Sequence, residues 1–314
     1  MASDCEEGDT TAAAASTSSS LSSPFKRKPH MSHLLHQLKG RIIDRMTKSH
    51  LAGPELVDAV QISGLAHARG WSSTLAYWSG PTDTPSSTSE IYIRTLNTIL
   101  ERAIQCYLSV KVTAINYDFG VISELLQVSD VSGVRIHFDA MDPASAEPTF
   151  ALLERALKVR RNLGCTLPSR WRRSVQDVSR VIEYGIPVRI VKGQWPDPLD
   201  RRRNAHQGYM EIIRLLAGKA SLVAVATHDR SLARDALRCL KGAGTTCEME
   251  QLSSLPQNCA AMARSLQVPI RIYIPFGYPS LPYDIWQVRA RPQIVGWVLR
   301  DAIAGKHRHL SVVH

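Results

Sequence analysis

One regularity constrains this chain more than any other. Short apolar or β-branched runs recur at residues 73–78, 108–115, 134–140, 165–167, 188–191, 222–227, 245–249 and 270–275. Between them lie stretches with apolar residues at helical spacing: 88–107, 119–129, 143–161, 172–184, 199–217, 230–241, 255–266 and about 280–304. Strands that alternate with helices predict a parallel sheet, because each parallel step needs a crossover. Eight such units predict an α/β fold, a (β/α)8 TIM-type barrel over 70–314. A barrel of this kind takes roughly 250 residues. The alternative is a doubly wound open sheet. Against it, no Gly-rich GxGxxG phosphate loop follows the first strand.

Ahead of the barrel the chain divides in two. Residues 1–28 are rich in Ser, Ala and Thr and predict a disordered tail. Residues 29–69 predict N-terminal helices over 33–47, which carries Leu34, Leu38, Ile42 and Met46, and over 53–68. No apolar run approaches the ~20 residues of a membrane span. The first residues are acidic (Asp4, Glu6, Glu7, Asp9), where a targeting peptide would be basic. A cytoplasmic protein is expected.

The six cysteines show no CxxC pair and no Cys/His ligand spacing, so free thiols and no metal are expected. The formal net charge of +10 sits in bursts at 26–28, 160–161, 170–173 and 201–203. No aromatic platform is interleaved with them, which argues against nucleic acid and for solvated faces. Such bursts also suit a weak peripheral attraction to an anionic membrane surface.

In a (β/α)8 barrel the active site forms at the C-terminal ends of the strands. Polar residues gather at those runs. Lys111 lies in the second, His137 and Asp139 in the third, Arg189 and Lys192 in the fifth, and Thr227, His228 and Asp229 end the sixth. Glu248 and Glu250 lie in the seventh, Arg271 and Tyr273 in the eighth. A lysine and an aspartate in a barrel mouth are costly unless paired, and Lys111 with Asp139 on the neighbouring strand is the natural pair. Singly, each residue suits a structural ion pair. Together they predict an anion- or cofactor-binding mouth.

These residues also carry a resemblance. The run 188–195 (VRIVKGQW) looks like the flavin-binding strand of proline dehydrogenases, R-L-V-K-G-A-Y-W. Residues 226–229 (ATHD) resemble that family's A-T-H-N, and 271–277 (RIYIPFG) followed by Tyr283 resembles R-x-Y-x-P-x-G and the tyrosine opening the last helix. Residues 109–111 (SVK), 138–140 (FDA) and 167–173 (LPSRWRR) match S-V-K, the D-A-E strand and L-Q-A-Y-L-K-R. The matches keep family order from about residue 70 onward. The resemblance implies FAD across the barrel mouth, hydride transfer from a cyclic amine to flavin N5, an imine product, and onward transfer to a quinone or other acceptor. By match, Arg189, Val191, Lys192, Gly193, Trp195, Thr227 and His228 would contact FAD. Lys111, Asp139, Leu252, Tyr273 and Tyr283 would form the substrate site.

The departures bear on the substrate. The family's last helix reads Y-x-x-R-R-L-x-E-N-P, and its two arginines hold the proline carboxylate. Here Trp286 and Gln287 stand at those positions and Ala290 at the glutamate. An indole cannot replace a bidentate Arg–carboxylate contact. The flavin side differs at Pro168, in place of glutamine, and at Asp229, in place of asparagine. Three readings stay open. One is oxidation of a proline derivative without a free carboxylate. Another is oxidation of proline itself, with Lys111 or Arg170 taking the carboxylate. The third is a non-catalytic barrel that has lost its flavin and binds or regulates.

Overall fold

The computed structural model describes residues 50–140 and 142–278. Eight parallel strands close on themselves in chain order: β1 (Ser72–Trp78), β2 (Cys106–Val110), β3 (Ile136–Phe138), β4 (Leu163–Pro168), β5 (Val188–Val191), β6 (Val223–Ala226), β7 (Cys247–Leu252) and β8 (Ile270–Gly277). The longest seam is the closing one, where β1 pairs with β8 from Ser72↔Arg271 to Trp78↔Gly277. Helix α1 (Leu56–His67) precedes the barrel. The helices between strands are α2 (Pro85–Glu101), α3 (Phe119–Ser132), α4 (Ala146–Leu157), α5 (Arg173–Tyr184), α6 (Ala205–Leu216), α7 (Arg230–Gly242) and α8 (Ala260–Ser265). The expected tail, the helix at 33–47 and the last helix lie outside the described residues.

Local chemistry sets the boundaries. Thr84 caps α2 by accepting from Ser87 N, with Pro85 at the first helical position, where its missing N–H costs nothing. Asn204 caps α6 and Asp229 caps α7. Gly185, at φ +65°, closes α5 in a left-handed turn that a Cβ would disfavour.

Several expected boundaries differ, and two of them bear on the mouth. The second strand ends at Val110 rather than running to 115, and Val112–Ile115 forms a 3-10 turn. The N–H of Lys111 donates to the Tyr92 hydroxyl at 3.1 Å instead of to a neighbouring strand, so the chain leaves the sheet there. The sixth helix begins at Ala205 rather than near 199. Before it, buried Asp197 takes the N–H groups of Arg172 (2.6 Å) and Leu199 (2.8 Å) and folds the segment back over β4.

The apolar core is the layer between sheet and helices. Leu75, Leu108, Ile136, Ile190, Val225, Met249 and Ile272 alternate along their strands and are fully buried there. Each contributes roughly 1.5–3 kcal/mol by leaving water. The other alternation, into the barrel, is polar. Barrel interiors are ordinarily filled by Val, Ile and Leu. Here Thr74, His137, Thr166, Arg189 and Glu250 are all buried, and Glu250 of β7 reaches Thr74 of β1 and Arg189 of β5, strands that do not neighbour its own.

Candidate active site

The barrel axis carries charge in tiers. At the N-terminal end of the strands, Arg271 Nε donates to Glu248 (2.9 Å) and Arg271 Nη1 to Ser73 O (2.6 Å). The sequence reading put Glu248 and Arg271 with the mouth residues. They form the barrel floor, because they begin their strands rather than end them. In the middle tier, Arg189 Nε donates to Glu250 Oε2 at 2.8 Å, and Thr74 Oγ1 donates to Glu250 Oε1 at 2.8 Å. Arg189 also stacks over the Tyr273 ring, 4.9 Å from its centre.

At the mouth, Asp139 is the hub. It accepts from Tyr273 Oη at 3.0 Å, from Thr166 Oγ1 at 3.2 Å and from Arg189 Nη1 at 3.4 Å. Lys111 Nζ is farther, at 3.9 Å, and lies 4.8 Å from the centre of the Trp78 ring. The expected Lys111–Asp139 pair thus exists as an ion pair without a hydrogen bond. Burial pulls the Lys111 amine below the usual lysine range, and Asp139 only partly offsets it. Burial also opposes the Asp139 carboxylate, but Lys111, Arg189 and the donors Tyr273 and Thr166 prevail and hold it below its usual value. The Tyr273 hydroxyl is pushed well above its usual value by burial and by the Asp139 charge, so it stays a donor.

These groups line a cavity of about 520 Å³. One wall is Trp78, Lys111, Asp139 and Tyr273; the opposite wall is Val191, Lys192, Gly193, Trp195, Thr227 and His228, with Leu252 between. The structure therefore brings every described residue of the expected site to one cavity. Tyr283 lies outside the described residues. The wall residues are held from behind. The backbone N–H groups of Ser169 and Arg170 donate to Val191 O and Lys192 O, extending the β4–β5 pairing over the mouth. Gly193 has φ +82°, and a Cβ there would sit 2.8 Å from Pro168 Cβ, so only glycine fits the turn.

Two expected contacts have other partners. His228 Nε2 accepts from Leu252 N at 2.9 Å, which leaves Nδ1 protonated toward Pro256 O at 3.3 Å. Both ring nitrogens serve the fold, and burial lowers the ring to about 4. Lys192 Nζ meets Asp229 Oδ2 at 3.1 Å. Asp229 is held at about 2: burial opposes its charge, but the Leu232 N–H, Ser231 and Lys192 outweigh it.

A cofactor with a planar, polar-edged ring fits this cavity on one observation above the rest. Arg189 is only 2% exposed, and its Nη2 has no hydrogen-bond partner in the protein. A buried guanidinium nitrogen without an acceptor is costly, and the same residue lines the cavity, so an electron-rich ligand edge there would offset the charge. Among the described residues no group of three or more His, Cys, Asp or Glu could hold a metal, and no helix is long and apolar enough to cross a membrane.

Trp78 escaped the sequence reading of the site, although its position at the C-terminal end of β1 made it legible. Glu250 was among the expected mouth residues, but its partner Arg189 lies 61 residues away and no local signal joins them.

The fold and cavity define a (β/α)8 barrel with an ionic axis and a ligand-sized mouth. No known family profile matches the chain. It is similar to proline dehydrogenase 1 of Bacillus subtilis subsp. natto, 20% identical over 270 residues, covering 81% of this chain and 89% of that one. It is also similar to proline dehydrogenase 2 of Bacillus subtilis strain 168, 19% identical over 225 residues, 68% and 74% covered. Among solved structures it resembles proline utilization A of Bdellovibrio bacteriovorus inactivated by N-propargylglycine, with TM-score 0.64, 16% identity and 85% of this chain covered. The mutant D778Y of Bradyrhizobium japonicum proline utilization A gives TM-score 0.57, 15% identity and 76% coverage. The chain spans about a third of the length of those solved chains, 33% and 29%. It is a divergent relative of the proline dehydrogenases.

Proposed function

We propose that this chain is an FAD-dependent dehydrogenase that oxidises proline or a proline-like cyclic amine to the corresponding imine. The observation that carries the reading is a cavity of about 520 Å³ walled by Lys111, Asp139 and Tyr273 on one side and by Lys192, Gly193 and Trp195 on the other, with the buried Arg189 guanidinium beneath it. Curated relatives called proline dehydrogenases support the substrate class. Bound FAD would supply the hydride acceptor and pass electrons to a quinone or another acceptor.

This chain's own groups divide the remaining work. Arg189 would set its positive charge beneath the ring edge of the cofactor, while Lys192, Val191, Gly193, Trp195 and Thr227 line its side of the cavity. Lys111, with its amine shifted toward neutrality by burial, would take the proton that leaves the substrate nitrogen at Nζ. Asp139, kept ionised, would hold the substrate N–H, and Tyr273 fixes Asp139 for that role. Leu252 and Trp78 would shield the reacting carbon from water. Trp286 and Gln287 favour a substrate whose carboxylate is absent or masked.

A second reading, a barrel without flavin that binds or regulates, draws support from the Lys192–Asp229 pair and from His228, whose nitrogens are both committed. The visible spectrum decides between them. We expect a flavin band after reconstitution with FAD, bleached anaerobically by proline, a proline ester or amide, pyrrolidine or pipecolate. A band that none of these bleaches would reject the amine substrate, and no FAD uptake would leave the binding reading.

A further inference from the structure

Four titratable side chains meet between the middle of the barrel and its mouth: Arg189, Lys111, Glu250 and Asp139. Arg189 carries the fixed positive charge and has Glu250 and Asp139 against it, while Lys111 is the member whose charge burial disfavours. Glu250 is the member that does not face a reacting group. It is 1% exposed, it takes Arg189 Nε at 2.8 Å, and its other oxygen accepts from Thr74 at 2.8 Å. With Nε taken by Glu250 and Nη1 turned to Asp139, the guanidinium plane is set and Nη2 is left over.

We infer that Glu250 is the positioning and charge-compensating residue of the cavity: it fixes the aim of Arg189 and cancels its charge, so that the cavity receives neutral or weakly anionic partners rather than strong anions. Unscreened, Arg189 would present a full positive charge in a dry site, where it would favour any anion beside it. Compensated by Glu250, it remains a directional donor with little net field. For flavin the consequence rests on the function proposed above. The reduced, anionic ring gains less than it would beside a lone arginine, and the bound couple keeps a low potential.

The test separates aim from charge. Glu250→Gln keeps an acceptor for Arg189 Nε and removes the charge, whereas Glu250→Met removes both. The first readout needs no flavin: calorimetric titration of the flavin-free protein with benzoate, an aromatic carboxylate of suitable size. Glu250→Gln should bind benzoate at least about tenfold more tightly than wild type, the order expected for one uncompensated charge at partly screened range. Glu250→Met should bind it more weakly than Glu250→Gln, because Arg189 loses its aim. A residue that merely supported the fold would give weaker binding in both.

The second readout is the midpoint potential of the FAD-loaded protein, expected to rise in Glu250→Gln by about 30 mV, the two-electron equivalent of tenfold. Unchanged or weaker benzoate binding in Glu250→Gln, or none in any form, overturns the inference. An unchanged potential in flavin-loaded protein overturns it too. Tighter benzoate binding in a protein that takes up no flavin upholds the role of Glu250 and rejects the flavin reading alone. Should Glu250→Gln not fold, Thr74→Val carries the test. A carboxylate short of one donor repels a neighbouring anion more, so benzoate should weaken two- to threefold, and no change overturns the inference.

Discussion

The backbone N–H of Leu252 donates to Nε2 of His228 at 2.9 Å, so a histidine just beyond β6 holds a cavity-lining residue of β7. The bond requires Nε2 unprotonated, and burial lowers the ring to about 4 from its ordinary 6.5. Between those values the unfolded chain binds the proton and the folded chain does not, so stability falls as pH drops from 6.5 toward 4. The loss should total about 2–3 kcal/mol. Urea midpoints from pH 7 to pH 4 measure it. His228→Gln should be less stable at pH 7 and show a flatter profile over this range, and an equally steep profile would assign the dependence elsewhere.

Lys111 is held by an ion pair at 3.9 Å and by the Trp78 face, a poor return for a charge so deeply placed. Lys111→Met keeps the stem and removes the ammonium. It should leave stability unchanged or raise it by up to about 1 kcal/mol, while amine oxidation falls at least a hundredfold. Full activity would remove Lys111 from the proposed proton path.

Tyr273→Phe deletes the 3.0 Å donor to Asp139 without changing shape. A hydrogen bond to a charged acceptor is worth about 1.5–3 kcal/mol, and equilibrium unfolding should register that loss. The Asp139 carboxyl should titrate higher, moving the acid limb of the activity profile upward. A profile that stays in place would contradict the role given to Asp139.

Gly193→Ala meets two obstacles, a backbone at φ +82° and a Pro168 Cβ 2.8 Å from the new methyl. The substitution should cost about 1–3 kcal/mol and weaken FAD uptake, because the turn forms one cavity wall. Fluorescence titration with FAD and thermal unfolding report both effects.

Much of this barrel was legible because parallel strands buried on both sides write apolar runs, and helices separate those runs at regular intervals. The misreadings have physical causes. Residues Val112 and Thr113 are β-branched and suit a strand, yet the Tyr92 hydroxyl takes the Lys111 N–H and ends the ladder. Alternation tells which side of a strand a residue faces but not how far along the barrel it sits. Glu248 and Glu250 therefore look equivalent in sequence, although one lies at the floor and the other beside Arg189. Motif residues such as Lys111, Asp139, Arg189 and Tyr273 could be gathered in advance because strand ends converge on one mouth. Their pairings could not, since each joins strands tens of residues apart.

The ionic axis also says something about assembly of the sheet. Glu248 with Arg271, Glu250 with Arg189, and Asp139 with Tyr273 all rely on every second residue pointing inward. A slip of one residue in β5, β7 or β8 would drive a charge into the helix-facing apolar layer, where nothing described could receive it. An all-aliphatic interior tolerates such slips at modest cost. This one makes a misregistered barrel far more expensive than the native one, so the charges that tune the mouth also act as a ruler for the strands.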